Sequence, residues 1–449
     1  MGMPKFLQDQ TLQLAQDYYR LGYWQQAAQL YQEVLAADAE VTAALAGLAG
    51  LAQDQGDLVT AQSLLRRAVV QCPQSVSLQM QLADVYRAQR QWSEAIRCYQ
   101  ALEALELVSA QERVRLHTRW AQVLQAMGAL EQAAVHVQQA IIEDPTAAHL
   151  YASLGYLRSL QEDWPEATSC YQRALQLNPH LPDVHNGLGH VLLSQSAWIE
   201  ASLAFEQALQ EDPSNQAALA HLVIALREAD QSARIPSWLN YDQLVQVYSC
   251  ASPPAGYSSV ADLNRILVQR LLQHPSLVWN PESLSTWGGL QTTDLLADPA
   301  LSEPIRDLIR PYVQNYLQAL PQDRDHPLQW NRPQELRLGW LWGVSLHPQG
   351  YQRLHIHDPA WLSGVYYIQV PAMMGAAGAG CLEFSQTPAE YPITETLSSK
   401  RIHPENGLLV LFPGYFYHRT IPFLAGEPRI SISFNIAGRL GCPPTALPL

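Results

Sequence analysis

Five side chains in the C-terminal quarter of the chain could build a metal centre. His355-Ile356-His357 ends a strand-like run, and alternation along a strand puts both imidazoles on one face. His418 follows 61 residues after His357, Arg429 comes 11 residues later, and Ser431 two further on. Two imidazoles from one strand, a third from a distant strand and an Arg behind them fit an open non-haem Fe(II) site. In that design three protein ligands take one face of the ion, and a chelating cosubstrate and O₂ take the rest. A guanidinium then forks onto the far carboxylate of the cosubstrate, and a hydroxyl supports it. Set against this is a plainer reading, in which each His is a satisfied core or surface residue.

Strands must position these groups. From about Leu336 apolar runs and short alternations replace helical periodicity: Leu336–His347, Gly350–His357, Leu362–Val370, Cys381–Phe384, Gly407–Phe412 and Arg429–Ile436. Gly, Pro and polar loops separate them, with no long helices between, which argues for an antiparallel sandwich or barrel. In the last strand Arg429, Ser431, Ser433 and Asn435 alternate with Ile430, Ile432, Phe434 and Ile436, one polar face against one apolar face. Upstream, an apolar stripe predicts a helix over Ser259–Gln273 and a second over Ser302–Leu320, with Pro304 in its first turn and a kink at Pro311.

The combined stretches resemble the Fe(II)/2-oxoglutarate-dependent oxygenases. They are Leu354-His355-Ile356-His357, Leu362-Ser363-Gly364-Val365-Tyr366-Tyr367, Leu411-Phe412-Pro413 with Tyr417-His418, and Arg429-Ile430-Ser431-Ile432-Ser433-Phe434-Asn435. The resemblance covers roughly 256–437. It implies a double-stranded β-helix, or jelly roll. It also implies Fe(II), 2-oxoglutarate and O₂, with decarboxylation of 2-oxoglutarate to succinate coupled to C–H hydroxylation. By position His355 and His418 would be iron ligands, and Arg429 and Ser431 would hold the cosubstrate carboxylate. The wider superfamily has an acid where His357 stands. Asp358 is next door, on the opposite face of a regular strand unless a bulge turns it. His357 is taken as the middle ligand, with Asp358 the alternative.

Tyr366 and Tyr367 differ in face, so only one can line the pocket, and Tyr367 is the candidate cosubstrate contact. Glu383 is expected to be a solvated carboxylate. Gly375–Gly380 reads as a hairpin or lid, since no P-loop Lys and helix follow it. His347 and His403 are expected in loop or packing roles.

The first half is a repeat. Ala27, Ala61, Ala95, Ala133, Ala167 and Ala201 recur at steps of 34, 34, 38, 34 and 34 residues. A bulky residue follows each by four: Tyr31, Leu65, Tyr99, Val137, Tyr171 and Phe205. Pro73, Pro145, Pro179 and Pro213 close four units, because Pro cannot continue a helix. The pattern fits two antiparallel helices per unit and resembles tetratricopeptide repeats. The step of 38 implies a loop near Ala104–Gln111, and Asn215–Asp230 reads as a capping helix. Such a stack offers a groove for a protein or peptide.

The resulting expectation is a multidomain α + β chain: repeats over 8–230, a linker over 231–258, helical support over 259–335 and the oxygenase core over 336–440. With 449 residues, one ordinary core is too small a plan. A net charge of −14 disfavours nucleic-acid partners. No apolar run is long enough to span a membrane, and no signal-peptide core opens the chain. Six scattered cysteines without a C-x-x-C pair point to a reducing, cytoplasmic setting. Function is expected to be 2-oxoglutarate-dependent hydroxylation, with the repeats recruiting a protein or peptide. The alternatives are a scaffold whose metal-binding jelly roll is inactive, and a three-His dioxygenase that needs no cosubstrate.

Overall fold

The computed structural model describes residues 3–105, 109–230, 235–281, 284–372, 375, 377–384, 391, 399–438, 443 and 445–449. Two compact units emerge, Met1–Leu181 and Pro182–Leu449. Among the described residues no helix is long and apolar enough to cross a membrane.

The first unit is ten helices in antiparallel pairs: α1 (Lys5–Arg20) with α2 (Trp24–Ala37), α3 (Thr42–Asp54) with α4 (Leu58–Gln71), α5 (Val76–Ala88) with α6 (Trp92–Glu103), α7 (Ala110–Ala126) with α8 (Leu130–Glu143), and α9 (Ala148–Leu160) with α10 (Trp164–Leu177). The periodic alanines explain the pairing. Ala27, Ala61, Ala95, Ala133 and Ala167 are fully buried, and so are the bulky partners four residues on. A methyl at Gly155 of α9 would come within 3.0 Å of the Tyr171 ring of α10, so only a small residue lets these helices close. Each pair turns through a residue with positive φ: Gly22, Gly56, Arg90, Gly128 and Glu162. Helix starts are capped where the sequence supplies an oxygen. Ser109 and Glu112 form a reciprocal capping box, and Asp57, Ser75 and Asp163 accept from the first turn. Most of the longer connection expected near Ala104–Gln111 lies at 106–108, outside the described residues.

The second unit opens with three more helices of the same kind, α11 (Val184–Ser194), α12 (Trp198–Glu211) and α13 (Gln216–Glu228). Short turns α14 (Ile235–Trp238) and α15 (Tyr241–Leu244) lead to β1 (Gln246–Ser249), which lies within the stretch expected as linker. Then come α16 (Val260–Leu272), β2 (Val278–Trp279), β3 (Thr286–Gln291), α17 (Pro299–Ala319), α18 (Pro327–Trp330), β4 (Arg337–Gln352), β5 (Ala360–Gln369), β6 (Leu382–Phe384), β7 (Lys400–Ile402), β8 (Leu408–Pro413), β9 (His418–Thr420), β10 (Arg429–Ala437) and β11 (Leu447–Pro448).

The strands make two antiparallel sheets, as the jelly-roll expectation requires. The larger runs β1-β8-β5-β10-β4-β3-β2, and the smaller runs β7-β6-β9. Two expected strands, Leu336–His347 and Gly350–His357, merge into β4, which stops at Gln352, so His355 and His357 lie beyond it. The start of α17 also differs from expectation. Asp298 caps it and Pro299 occupies its first turn, so Pro304 and Pro311 both fall inside the helix.

Register assigns the faces of the larger sheet. Arg429, Ser431, Ser433 and Asn435 of β10 stand opposite Leu346, Val344, Trp342 and Trp340 of β4. Ser431, Ser433 and Asn435 stand opposite Tyr367, Val365 and Ser363 of β5. Directly paired residues share a face, so these side chains line one surface. The other face is apolar and meets the helices. Tyr366 donates to Asn264 of α16 at 2.7 Å, and Leu271 of α16 lies over Gly343 of β4. All nine residues of β10 are buried, the polar ones included.

Candidate metal centre

Backbone pairing sets the histidines. His355 and His418 exchange both backbone hydrogen bonds, each 3.0 Å, in an isolated antiparallel bridge. The His357 N–H donates to Gly414 O at 3.0 Å. Gly414 is required there, because a side chain would strike the carbonyl of Ala360. The second strand-end imidazole is thus brought round by this crossing rather than by regular alternation. Ring nitrogens of His355, His357 and His418 all lie within 4.8 Å of one another.

The donor atoms suit a cation. His418 Nδ1–H donates to Phe416 O at 2.9 Å, and His355 Nδ1–H donates to Arg353 O at 2.6 Å. Each carbonyl holds the proton on Nδ1 and leaves Nε2 as a lone pair, the tautomer a metal ligand needs. His357 Nε2 lies 3.1 Å from His418 Nε2, and the rings stack at 13°. Trp342 stacks on His357 with centroids 5.3 Å apart, and the Asn435 side chain hydrogen-bonds to it. Burial pushes all three imidazoles below their ordinary pKa, so they are neutral at pH 7. A divalent ion fits three neutral, converging lone pairs of this kind.

Asp358 sits elsewhere. Its carboxylate accepts the backbone N–H of Gln216 at 2.9 Å, at the start of α13, and is not part of the imidazole group.

Arg429 is 2% exposed, yet no carboxylate pairs with it among the described residues. Its Nη2 donates to the Tyr367 hydroxyl at 3.0 Å, its guanidinium lies 4.7 Å from that ring, and its Nε is buried with no partner. A buried cation without an anion is costly unless a ligand supplies one. Ser431 is on the same face, buried and directly opposite Tyr367.

Glu383 corrects its expectation. It is 2% exposed and accepts from Arg401 at 2.7 Å and Arg419 at 2.6 Å. Register explains it, since Arg401 of β7 and Arg419 of β9 flank Glu383 of β6 directly. The Gly375–Gly380 stretch lies partly outside the described residues.

Several contributors escaped the sequence reading. Trp342 lies in an apolar run, and Asn435 closes the quoted Arg429–Asn435 stretch without an expected contact to a ligand. Another is His221 of α13, whose Nδ1–H donates to Ala217 O so that Nε2 accepts from the Tyr417 hydroxyl at 2.8 Å, one residue before His418. No spacing could reveal that contact, which spans 196 residues.

Comparison with known proteins agrees with both halves. Residues 340–435 match the family described as "Putative 2OG-Fe(II) oxygenase". Residues 12–76, 77–107 and 160–196 match tetratricopeptide-repeat families. The search of curated proteins found no match. Similar solved structures include pilF of Pseudomonas aeruginosa, at 15% identity over 47% of this chain and 95% of that one, with a TM-score of 0.41. YrrB, described as a TPR protein with an unusual peptide-binding site, is 15% identical over 43% and 97%, with a TM-score of 0.37. MamA is 18% identical over 36% and 94%, with a TM-score of 0.34. On the family matches, the chain carries tetratricopeptide repeats in its N-terminal region, and its residues 340–435 fall in the domain family described as "Putative 2OG-Fe(II) oxygenase".

Proposed function

We propose that the chain is an Fe(II)/2-oxoglutarate-dependent oxygenase. In this reading His355, His357 and His418 hold the iron. Arg429, with Ser431 and Tyr367 beside it, holds the far carboxylate of 2-oxoglutarate. The observation that carries the reading is the buried Arg429 guanidinium, which has no carboxylate partner among the described residues and shares a sheet face with residues that touch His357. When bound, iron and 2-oxoglutarate supply the oxidising power for C–H hydroxylation. The chain's own part is binding and exclusion. The Arg353 and Phe416 carbonyls fix the tautomers of two ligands, Trp342 and Asn435 orient the third, and the apolar wall of Val344, Val365 and Leu346 keeps water from the anion site.

The repeat region is read as the recruiter of a protein or peptide, an ability common to such stacks. A second reading, a scaffold without turnover, draws on one observation: the ligand set lacks a carboxylate, which leaves the ion more positive than in a two-His, one-acid site.

An anaerobic Fe(II) titration with and without 2-oxoglutarate tests these readings. Oxygenase binding gives a weak visible charge-transfer band that His418→Ala and Arg429→Ala both remove. Folded, Fe(II)-loaded protein without a band favours the scaffold. Iron binding and O₂ consumption that survive Arg429→Ala favour a dioxygenase without cosubstrate.

A further inference from the structure

A cavity of about 710 Å³ opens beside His355 and His357. That volume suits a side chain or small molecule. Its described lining contains two carboxylates, Asp294 and Asp358, and two indoles, Trp340 and Trp342, but no Lys or Arg. Elsewhere in this unit carboxylates beside cations are used up, as Glu383 is by Arg401 and Arg419, or Asp242 by Lys400. Asp294 and Asp358 have no such ion pair among the described residues.

Both carboxylates are nonetheless fixed in place. Asp294 Oδ1 accepts the backbone N–H of Leu341 at 3.0 Å and of Leu296 at 3.2 Å. Asp358 Oδ1 accepts from Gln216. Asp358 also accepts the backbone N–H of Ala217, so backbone donors hold both carboxylates where they line the cavity. Trp340 and Trp342 are partly exposed on the same inward sheet face as Asn435, which also lines the cavity.

We propose that this cavity takes a guanidinium-bearing substrate group, stacked on an indole and paired with Asp294 and Asp358. The proposal rests on the oxygenase reading for its chemistry and adds the substrate class. A planar, weakly hydrated cation suits the site better than an ammonium. It forks onto carboxylate oxygens and stacks on Trp faces, while the amides and hydroxyls of the wall take its remaining N–H groups. An acidic group would meet two fixed negative charges and no cation.

The test is calorimetric binding to the full chain, loaded anaerobically with Fe(II) and 2-oxoglutarate. The probes are acetyl-Gly-Arg-Gly-amide, its citrulline counterpart, which is neutral and nearly isosteric, and free agmatine. The Arg peptide binds at least about tenfold more tightly than the citrulline peptide, the range two partly exposed charge contacts and one stacking contact supply. Asp294→Asn and Trp340→Leu each weaken the Arg peptide by roughly three- to tenfold, and Asp294→Asn leaves citrulline binding unchanged. The Asn substitution keeps the oxygen that accepts from Leu341 and Leu296, so the wall is preserved. Agmatine binding as tightly as the peptide assigns a free guanidino compound, and tighter peptide binding assigns an arginyl side chain. Equal binding of Arg and citrulline peptides, or no binding of either at millimolar concentration, overturns the proposal. The visible band read in the same samples separates the two failures. A band with no charge discrimination removes only the substrate class, and discrimination without a band removes only the oxygenase reading.

Discussion

The Nε2 atoms of His357 and His418 lie 3.1 Å apart, between rings inclined by only 13°. The Phe416 carbonyl holds the His418 proton on Nδ1, so a lone pair points at His357. A divalent ion bound here would engage this lone pair together with the ring nitrogens of His357 and His355.

Metal should therefore stabilise the C-terminal unit. At a free concentration of about 100 times Kd, linkage gives about 2.7 kcal/mol. For a unit of this size that is a rise in Tm of roughly 5–10 °C. Anaerobic Fe(II), or Co(II) as a stable substitute, added during a thermal melt is the measurement. His357→Ala and His418→Ala should each lose the rise. Asp358→Asn should keep it, because that carboxylate serves Gln216 rather than the imidazole group. A rise lost in Asp358→Asn but kept in His357→Ala would reverse the ligand assignment.

Arg429 sets stability against function. Among the described residues its guanidinium is buried with an unpartnered Nε and has only the Tyr367 hydroxyl as a side-chain acceptor. Replacing an unpaired buried charge by an apolar side chain of similar length removes a desolvation cost. Arg429→Met should leave the free protein as stable as the parent, or more stable by about 1 kcal/mol in chemical denaturation. The same variant should lose 2-oxoglutarate affinity by roughly 10- to 100-fold, the worth of one charge-assisted hydrogen-bond pair. Destabilisation above about 2 kcal/mol would mean that the guanidinium is structural rather than held ready for an anion.

Both the repeat and the polar strand were legible in the sequence, for a common reason. Each is a short local pattern, the 34-residue alanine step and the alternation from Arg429 to Asn435, and burial enforces each one residue by residue. The turns show the limit of that legibility. Positive φ recurs at Gly22, Gly56, Arg90, Gly128, Glu162, Ser196 and Asp230, with the same spacing as the alanines, but four of these are not Gly, so residue type hides the position. Cross-chain pairings were illegible. Glu383 looked solvated because β7 and β9 are three residues each and carry no alternation to announce the arginines beside it. His221 and Trp342 were hidden because apolar helix and strand periodicity says which face is buried, not which ring it meets.

Glu383 gives a pH signature. Burial raises its carboxyl pKa, but Arg401 and Arg419 outweigh that and hold it below its ordinary 4.5. A carboxyl whose folded pKa is depressed contributes stability above its unfolded pKa, and loses it as pH falls through the folded value. Glu383→Gln should thus cost about 1–2 kcal/mol at pH 7, discounted because both guanidinium partners are half exposed. That gap should hold down to about pH 5 and shrink below about pH 4.5. Denaturant melts of parent and variant from pH 7 to pH 3 give the comparison, and a gap that grows on acidification would contradict the ion-pair account.

Gly189 of α11 tests the packing rule of the repeats, because two effects oppose each other there. Replacing a helix-interior Gly by Ala ordinarily stabilises by about 0.5–1 kcal/mol. Here a methyl group would lie 2.6 Å from the Phe205 ring of α12, closer than van der Waals contact allows. Phe205 is fully buried and cannot swing away without disturbing its neighbours. Overpacking of this kind costs roughly 1–3 kcal/mol, so it outweighs the propensity gain and Gly189→Ala should destabilise by about 1–2 kcal/mol. Trimming the ring should reverse the sign of the glycine effect. In a Phe205→Leu background, Gly189→Ala should be neutral or stabilising, a coupling of about 1–2 kcal/mol in a double-mutant cycle. Additive effects in that cycle would show that the glycine is not kept for the aromatic ring above it.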